Sequence, residues 1–362
     1  MAASVTTSPP RPVDPQQFSA LAPDQRVTAV RSTPGTAGAA QALRIVLMLG
    51  RPRTCVPGML GYTLGWTVAG GPMSWKLMLG LAITLVYGLI ANLYNCYTDL
   101  EEDSRNLPGR VWLVMRLGHR RLLWIGHAMT AALLLLSPVY SLAYLPVMCL
   151  AMLGSHQYSF TPLRLKARPL LGLLCFSLAV FGPYLLGYLG APRGVRPLGR
   201  EAWALLAFIV LWFVAKGMVK NLPDYDGDLA AGLRTSATVF PDRGAASRAA
   251  AAMTLLAYLS VPAFVLLGAV PWRTLWALPL AVWAYLQCRA MAKAPDGPSA
   301  NRVLKRDMLL STAFLSCLLL LRTPGWATAV TVLIGAVVLL GSDRIALDSR
   351  RDRHSGAAPA KA

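Results

Sequence analysis

Two acidic stretches, far apart in the chain, hold residue types at spacings that could do chemistry. The first is Asn95-Cys-Tyr-Thr-Asp99-Leu-Glu-Glu-Asp103-Ser-Arg-Asn106-Leu-Pro-Gly-Arg110. If a helix runs through it, Asn95, Asp99 and Asp103 share one face, because side chains four residues apart stack along a helix. That polar stripe is roughly 12 Å long at a rise of 1.5 Å per residue. The second stretch, Lys216-Gly-Met-Val-Lys220-Asn-Leu-Pro-Asp224-Tyr-Asp-Gly-Asp228, repeats the four-residue spacing of Asp. Between the two lies a basic segment with Tyr158, Arg164, Lys166 and Arg168. Each acidic stretch ends a hydrophobic run, where a bare charge costs about 2.5–3.5 kcal/mol at mid-membrane, so an acidic face there is either a helix end solvated just outside the membrane or a seat for something cationic. Mg²⁺ is held by a few carboxylates together with phosphate oxygens. Asp99 and Asp103 on one helix and Asp224 and Asp228 on another could each hold one such ion, with a diphosphate ester between them. Lys166 and Lys220 then neutralise charge developing on a leaving group. Apolar helices beneath would accept an isoprenoid tail.

Each element also has a plainer use. Pro223 to Gly227 could be an ordinary turn, since Pro, Asp and Gly are turn formers. Arg164, Lys166 and Arg168 could do no more than mark the cytoplasmic side, and Tyr158 could be an interfacial anchor. Their occurrence together on one side of the expected topology favours the site.

The elements that must position these residues are membrane spans. Hydrophobic residues make up 55% of the 362, and charged residues only 14%, well below the quarter or so usual in soluble proteins. Repeated apolar runs read as an all-α, polytopic transmembrane bundle. The runs are near Ala42–Ala69 (interrupted by Gly50 to Gly58), Trp75–Tyr97, Leu122–Ser137, Ser141–Gly154, Leu170–Leu189, Ala202–Val219, Ala249–Gly268, Leu275–Met291, Met308–Leu321 and Trp326–Leu340. A basic loop, Arg302 to Arg306, is expected before the ninth. Residues 1–40, rich in Pro, Ser, Thr and Ala, are expected to be a disordered arm without a signal peptide. The bundle is expected over 41–341 and a disordered tail over 342–362. The net charge of +19 could suggest nucleic acid, but the basic residues fall mostly in short loops between spans, which is how topology is encoded. A nucleic-acid role is therefore excluded. The positive-inside rule places both acidic stretches and the N-terminus in the cytoplasm. Arg344, Arg350, Arg351 and Arg353 fit that side only if the span count is even, which makes Trp326–Leu340 a tenth span. The six cysteines form no C-x-x-C pair and the four histidines no ligand cluster, so neither a disulfide framework nor a thiolate metal site is expected.

At these residues the chain resembles the UbiA-type intramembrane prenyltransferases. Asn95, Asp99 and Asp103, followed by Asn106, Pro108 and Arg110, match the family's N-x-x-x-D-x-x-x-D and N-x-P-x-R. The segment from Tyr158 to Lys166 is similar to the Y-S-x-x-P-L-x-L-K loop of the homogentisate prenyltransferase and chlorophyll synthase branch. Lys220 to Asp228 is similar to that branch's K-D-x-P-D-x-x-G-D, and Arg51 to Thr54 resembles an opening R-P-x-T. The resemblance implies about nine helices around a cytoplasmic-side cavity. It implies Mg²⁺-diphosphate on Asp99, Asp103, Asp224 and Asp228. Lys166 and Tyr158 would act on the diphosphate, with Asn95, Arg51, Asn106, Arg110, Arg164 and Lys220 binding substrate. The partners implied are an isoprenyl diphosphate donor, an aromatic or quinone-precursor acceptor and the bilayer of the cell membrane. Cys96 and Asn221 depart from the fullest motif, which has Asp at both positions. The alternatives are a UbiA-type terpene cyclase, in which the chain's own double bonds quench the cation, and a non-catalytic transporter. A transporter should show polar or broken spans near the midplane, whereas here the ionisable cluster sits at one membrane face.

Overall fold

The computed structural model describes residues 14–192, 197–294, 297–347 and 349. Among them the chain is helical throughout: α1 (Pro15–Ala20), α2 (Pro23–Ser32), α3 (Ala39–Gly50), α4 (Val56–Val68), α5 (Trp75–Thr98), α6 (Leu100–Asn106), α7 (Pro108–Leu117) and α8 (His119–Tyr140). There follow α9 (Tyr144–Ser159), α10 (Pro169–Gly190), α11 (Arg200–Asn221), α12 (Tyr225–Ala230), α13 (Arg243–Leu266), α14 (Pro279–Ala292), α15 (Gly297–Arg322) and α16 (Trp326–Arg344). Six of these, α5, α8, α10, α11, α13 and α16, are long and apolar enough to cross a membrane. The chain is thus a multi-pass helical membrane protein. The others among the expected spans fall short for local reasons. Helices α4, α9 and α14 have only 13, 16 and 14 residues, against the twenty or so that a bilayer core needs. Helix α15 is long but begins with a polar half.

That polar half corrects the expected loop at Arg302–Arg306. No helix breaker separates Ala300 from Leu321, so the basic residues ride on the first turns of α15. The expected disordered arm is also corrected from residue 14 onward. Asp14 caps α1 by accepting from the Gln16 amide at 2.7 Å. Phe18 and Val30, 0% and 1% exposed, pack in a core with Val111, Val114 and Leu117 of α7. Composition averaged over forty residues hid these few apolar anchors. The tail is ordered at its start, since α16 runs to Arg344, Leu347 joins the same core, and the Ser349 amide donates to the Met48 carbonyl at 3.2 Å. The rest of both expected disordered segments lies outside the described residues.

Helix α4 is the hub, with every residue from Val56 to Trp66 buried. It crosses α10 so closely that a Cβ on Gly65 would lie 1.9 Å from the Tyr184 carbonyl oxygen, and one on Gly187 would lie 2.0 Å from that of Tyr62. Small residues let membrane helices approach backbone to backbone, where packing replaces the hydrophobic drive. Polar ties add to this. Thr63 and Thr331 hydroxyls meet at 3.0 Å between α4 and α16, and Lys216 of α11 pairs with Asp307 of α15 at 2.8 Å. Arg53, just before α4, pairs with Asp343 of α16 at 2.8 Å, and Lys305 of α15 joins it at 3.0 Å.

The outward faces are apolar, with Leu135, Val139, Leu259, Leu333 and Val337 all more than half exposed, as lipid-facing side chains are. Exposed Trp75, Trp203, Trp272, Trp276 and Trp326 mark the starts of α5, α11 and α16 and the turn before α14. They form an aromatic belt at the bundle end opposite the acidic stretches.

Candidate active site

The acidic pocket forms where α5, α9 and α11 end and α10 begins. Asn95, Asp99, Glu102, Asp103, Asn106, Arg110, Tyr158, Lys166, Lys220, Asn221, Asp224, Asp228, Leu233 and Thr235 line it. Helix α5 stops at Thr98 and α6 starts at Leu100, with Asp99 at the joint. The four-residue rhythm survives the joint, because the Asp99 amide still donates to Asn95 O at 2.9 Å and the Asp103 amide to Asp99 O at 2.7 Å. Asn95, Asp99 and Asp103 therefore keep a common face, as the spacing predicted. Pro108 starts α7 and brings Arg110 back under Asp103.

The second stretch enters by another local device. Pro223 lacks the N–H that a continuing α-helix needs, so α11 tightens into a 3₁₀ turn over Leu222–Asp224 before α12 begins. This carries Asp224 and Asp228 into the pocket, while Asp226 turns outward to Arg243. Gly227 leaves room for the Asn106 amide, since a Cβ there would fall 2.1 Å from Asn106 Nδ2. The two motifs thus touch through Asn106 and Gly227.

Cations interleave the carboxylates. Arg110 Nη1 donates to both oxygens of Asp103, at 2.9 and 2.7 Å. Lys166 Nζ donates to Asp99 and, at 3.1 Å, to Glu102 Oε1, and Arg164 Nη2 donates to the same oxygen at 2.7 Å. Lys220 Nζ lies 5.9 Å from the centre of the Tyr158 ring and 5.3 Å from that of Phe176, which suits a cation over an aromatic face. Burial pushes the Asp228 carboxyl up to about 7, with Asp224 beside it adding to the rise. Asp103 is raised to about 6, by burial first and against the pull of Arg110. Burial would lower the Lys166 ammonium, yet Asp99 and Glu102 hold it above its ordinary value.

Most of the residues read from the sequence come together here, and two do not. Arg51 lies outside the pocket, 6% exposed, donating to Asn92 of α5 one turn before Asn95. Its left-handed backbone, φ 51°, turns the chain from α3 toward α4. Arg164 stands beside the pocket rather than lining it, held by Glu102 with its side chain 37% exposed. Of the two departures from the motif, Cys96 turns away, its S–H donating to the Leu49 carbonyl at 3.7 Å. Asn221 lines the pocket and donates to Ser236 Oγ at 2.9 Å. Sequence reasoning assigned no role to Glu102, Leu233 or Thr235. Glu102 stood in the acidic cluster but off the four-residue stripe, and Leu233 and Thr235 carried no signal.

Among the described residues, no three Asp, Glu, His or Cys side chains converge tightly enough to hold a metal alone. The donor set nevertheless fits Mg²⁺ shared with phosphate. The lining side chains include five carboxylates against three cations, all hard oxygen donors on the acidic side. Arg110 Nε and Nη2 and Glu102 Oε2 are buried without hydrogen-bond partners, which leaves donors and an acceptor for a charged ligand.

Helices packed into a lipid-facing bundle carry a polar pocket at the end opposite the exposed tryptophans. The UbiA prenyltransferase family matches residues 54–318, and the chain belongs to this family. A digeranylgeranylglyceryl phosphate synthase from Methanopyrus kandleri is 31% identical over 280 residues, covering 76% of this chain and 100% of that relative. A lycopene elongase/hydratase from Corynebacterium glutamicum is 27% identical over 256 residues, covering 68% and 84%. Among solved structures, a UbiA homolog from Archaeoglobus fulgidus bound to GPP and Mg²⁺ aligns with a TM-score of 0.59 at 18% identity, over 80% of this chain and 99% of that one. These relatives place the chain in the family without carrying the homogentisate and chlorophyll synthase branch that the Tyr158–Lys166 loop suggested.

Proposed function

We propose that this chain ionises an isoprenyl diphosphate in the pocket and transfers the prenyl chain to a lipid-soluble acceptor. The observation that carries the reading is one pocket holding five carboxylates and three cations at the end of an apolar bundle. The arrangement suits an anionic head with a hydrocarbon tail. Asp99, Asp103, Asp224 and Asp228 would hold Mg²⁺, which supplies positive charge against the diphosphate oxygens. Lys166, Lys220 and Arg110 bind and neutralise the diphosphate, and Asn95 and Asn106 fix its orientation. Half-buried Tyr158 sets its ring beside Lys220 and keeps that ammonium aimed at the pocket. The bond from C1 to the diphosphate oxygen breaks with its electron pair on the leaving group. The acceptor then gives an electron pair to C1 and loses a proton. Fixed charges aimed at the leaving group stabilise it more in the transition state than in the ground state.

Two acceptor classes have support. The archaeal relative favours a lipid with a glycerophosphate head, for which Arg164 stands beside the pocket. The Tyr158–Lys166 loop favours an aromatic or quinone-precursor ring. Transfer is preferred to cyclisation because the relatives are named a digeranylgeranylglyceryl phosphate synthase and a lycopene elongase/hydratase, and neither is named a cyclase. The topology proposed puts the pocket and both chain ends on the cytoplasmic side of the cell membrane. The deciding experiment incubates membranes holding the chain with labelled isoprenyl diphosphates of several lengths. Phenolic acceptors, glycerophosphate lipids or no acceptor are supplied in parallel. A linear prenyl product that forms only with an acceptor is expected. A cyclic hydrocarbon or alcohol formed from the diphosphate alone would replace transfer by cyclisation.

A further inference from the structure

The loop from Phe160 to Arg168 brings Lys166 into the pocket and Arg164 beside it, yet it has little structure of its own. It contains a single 3₁₀ turn, Leu165–Ala167, and Arg164 adopts a left-handed backbone with φ 40°, which non-glycine residues seldom occupy unless their surroundings impose it. Three ion pairs tie this loop to the first acidic stretch. One runs from Lys166 to Asp99, and the other two, from Lys166 and Arg164, converge on Glu102 Oε1. Glu102 is 5% exposed, and its second oxygen, Oε2, is buried without a partner. It stands one residue before Asp103, off the Asn95–Asp99–Asp103 face and toward the loop.

Under the reading proposed above, Mg²⁺-diphosphate takes Asp99 as a ligand. The Lys166 ammonium that Asp99 holds would then face like charge at short range, a repulsion that is large even in a moderately polar medium. Without another anchor, Lys166 and its loop would swing away when the diphosphate most needs a cation. We infer that Glu102 is the positioning residue that keeps Lys166, and with it Arg164, at the pocket when the metal–diphosphate claims Asp99. Oε1 holds the two cations, and the spare Oε2 gives Lys166 a second place to stay as its bond to Asp99 is lost. The inference rests on the proposed function and adds a residue that the four-residue spacing does not include.

The test is a double-mutant cycle on the purified full-length chain, measuring Mg²⁺-dependent binding of inorganic pyrophosphate by calorimetry. Glu102→Gln, which keeps the shape and removes the charge, is expected to weaken binding about tenfold, the loss typical of a charge-assisted contact. In a Lys166→Met background the same change is expected to add little, because the ammonium it positions is gone. Glu102→Asp should recover part of the loss, and it carries the test if the Gln variant fails to fold. With isoprenyl diphosphate, KM should rise more than kcat falls. Wild-type-like binding by Glu102→Gln, or a loss that persists in full without Lys166, would overturn the inference. A wild-type chain that binds no Mg²⁺-pyrophosphate would instead overturn the reading of the pocket, and this inference with it.

Discussion

The two acidic stretches that meet in the pocket are prepared for a ligand in opposite ways. In the first, the carboxylates are held by the chain's own cations: Asp103 by Arg110, Asp99 by Lys166, Glu102 by Lys166 and Arg164. Its backbone runs almost unbroken from a 24-residue helix into α6. In the second, a proline tightens the chain into a 3₁₀ turn and a six-residue helix follows. The Asp228 carboxyl there is held up near 7 by burial and by Asp224. A metal entering the first stretch competes with the ammonium and guanidinium groups already on its carboxylates, whereas at Asp228 it also competes with a proton below about pH 7. One half is organised before the substrate arrives, and the other is completed by it.

Removing a ligand from either half is the harshest way to break this comparison. Asp99→Ala and Asp224→Ala should each lower turnover by at least about 10²–10³-fold, the scale seen when a fixed electrostatic stabiliser is lost. Both variants should still appear in the membrane fraction. Near-normal product formation by both, or activity in excess EDTA, would defeat the two-carboxylate-pair site.

Uncoupling the halves is the next step down. Gly227→Ala forces a methyl group into the space of the Asn106 amide, so the Asn106 side chain must swing out of its place between the two halves. A fall in turnover of about tenfold is expected, since small displacements of a positioned group cost one or two decades, with little change in melting temperature. An unchanged rate would show that contact between the halves does not matter.

The comparison also assigns the pH dependence. The raised Asp228 carboxyl binds a proton in the metal-free protein below about pH 7, and a metal ligand must be ionised. Mg²⁺ affinity, titrated calorimetrically with pyrophosphate present, should fall by up to about tenfold per pH unit as pH drops below 7. It should level off above that value. Asp228→Asn should weaken the binding and flatten the curve between about pH 6 and 7, leaving the fall below pH 6 that the raised Asp103 gives, and a slope between 6 and 7 that survives in this variant would move the titration elsewhere.

The mildest prediction leaves activity untouched. Reporters fused at the two ends of the chain should both read the pocket side of the membrane, because Asp343 at the end of α16 sits against Arg53 at the start of α4. A C-terminal reporter on the opposite side would remove the tenth crossing.

What could be read from the sequence was whatever repeats at a fixed spacing. Asp99, Asp103, Asp224 and Asp228 declare themselves through a four-residue interval at the end of an apolar run, and all four line the pocket. Long apolar helices were equally legible, since lipid demands length and hydrophobicity together. Arg51 was not legible, because whether an arginine near a helix start faces a ligand or a neighbouring Asn92 depends on tertiary packing. Glu102 was hidden because its partners lie more than sixty residues away on a loop with no periodicity. The N-terminal helices were missed because three or four apolar anchors in a Pro- and Ser-rich segment look like noise until α7 supplies the surface they cover.

The crowding around α4 has a consequence for how the protein is made. This helix lies near the start of the chain, yet every residue from Val56 to Trp66 is buried, against neighbours such as α10, α15 and α16 that leave the ribosome much later. During synthesis it must wait in lipid with its glycines bare and its Thr63 hydroxyl without the Thr331 partner that closes the bundle. Such a segment is a natural client for an insertion chaperone. Nascent chains arrested before α16 should therefore be the ones that quality-control proteases clear first.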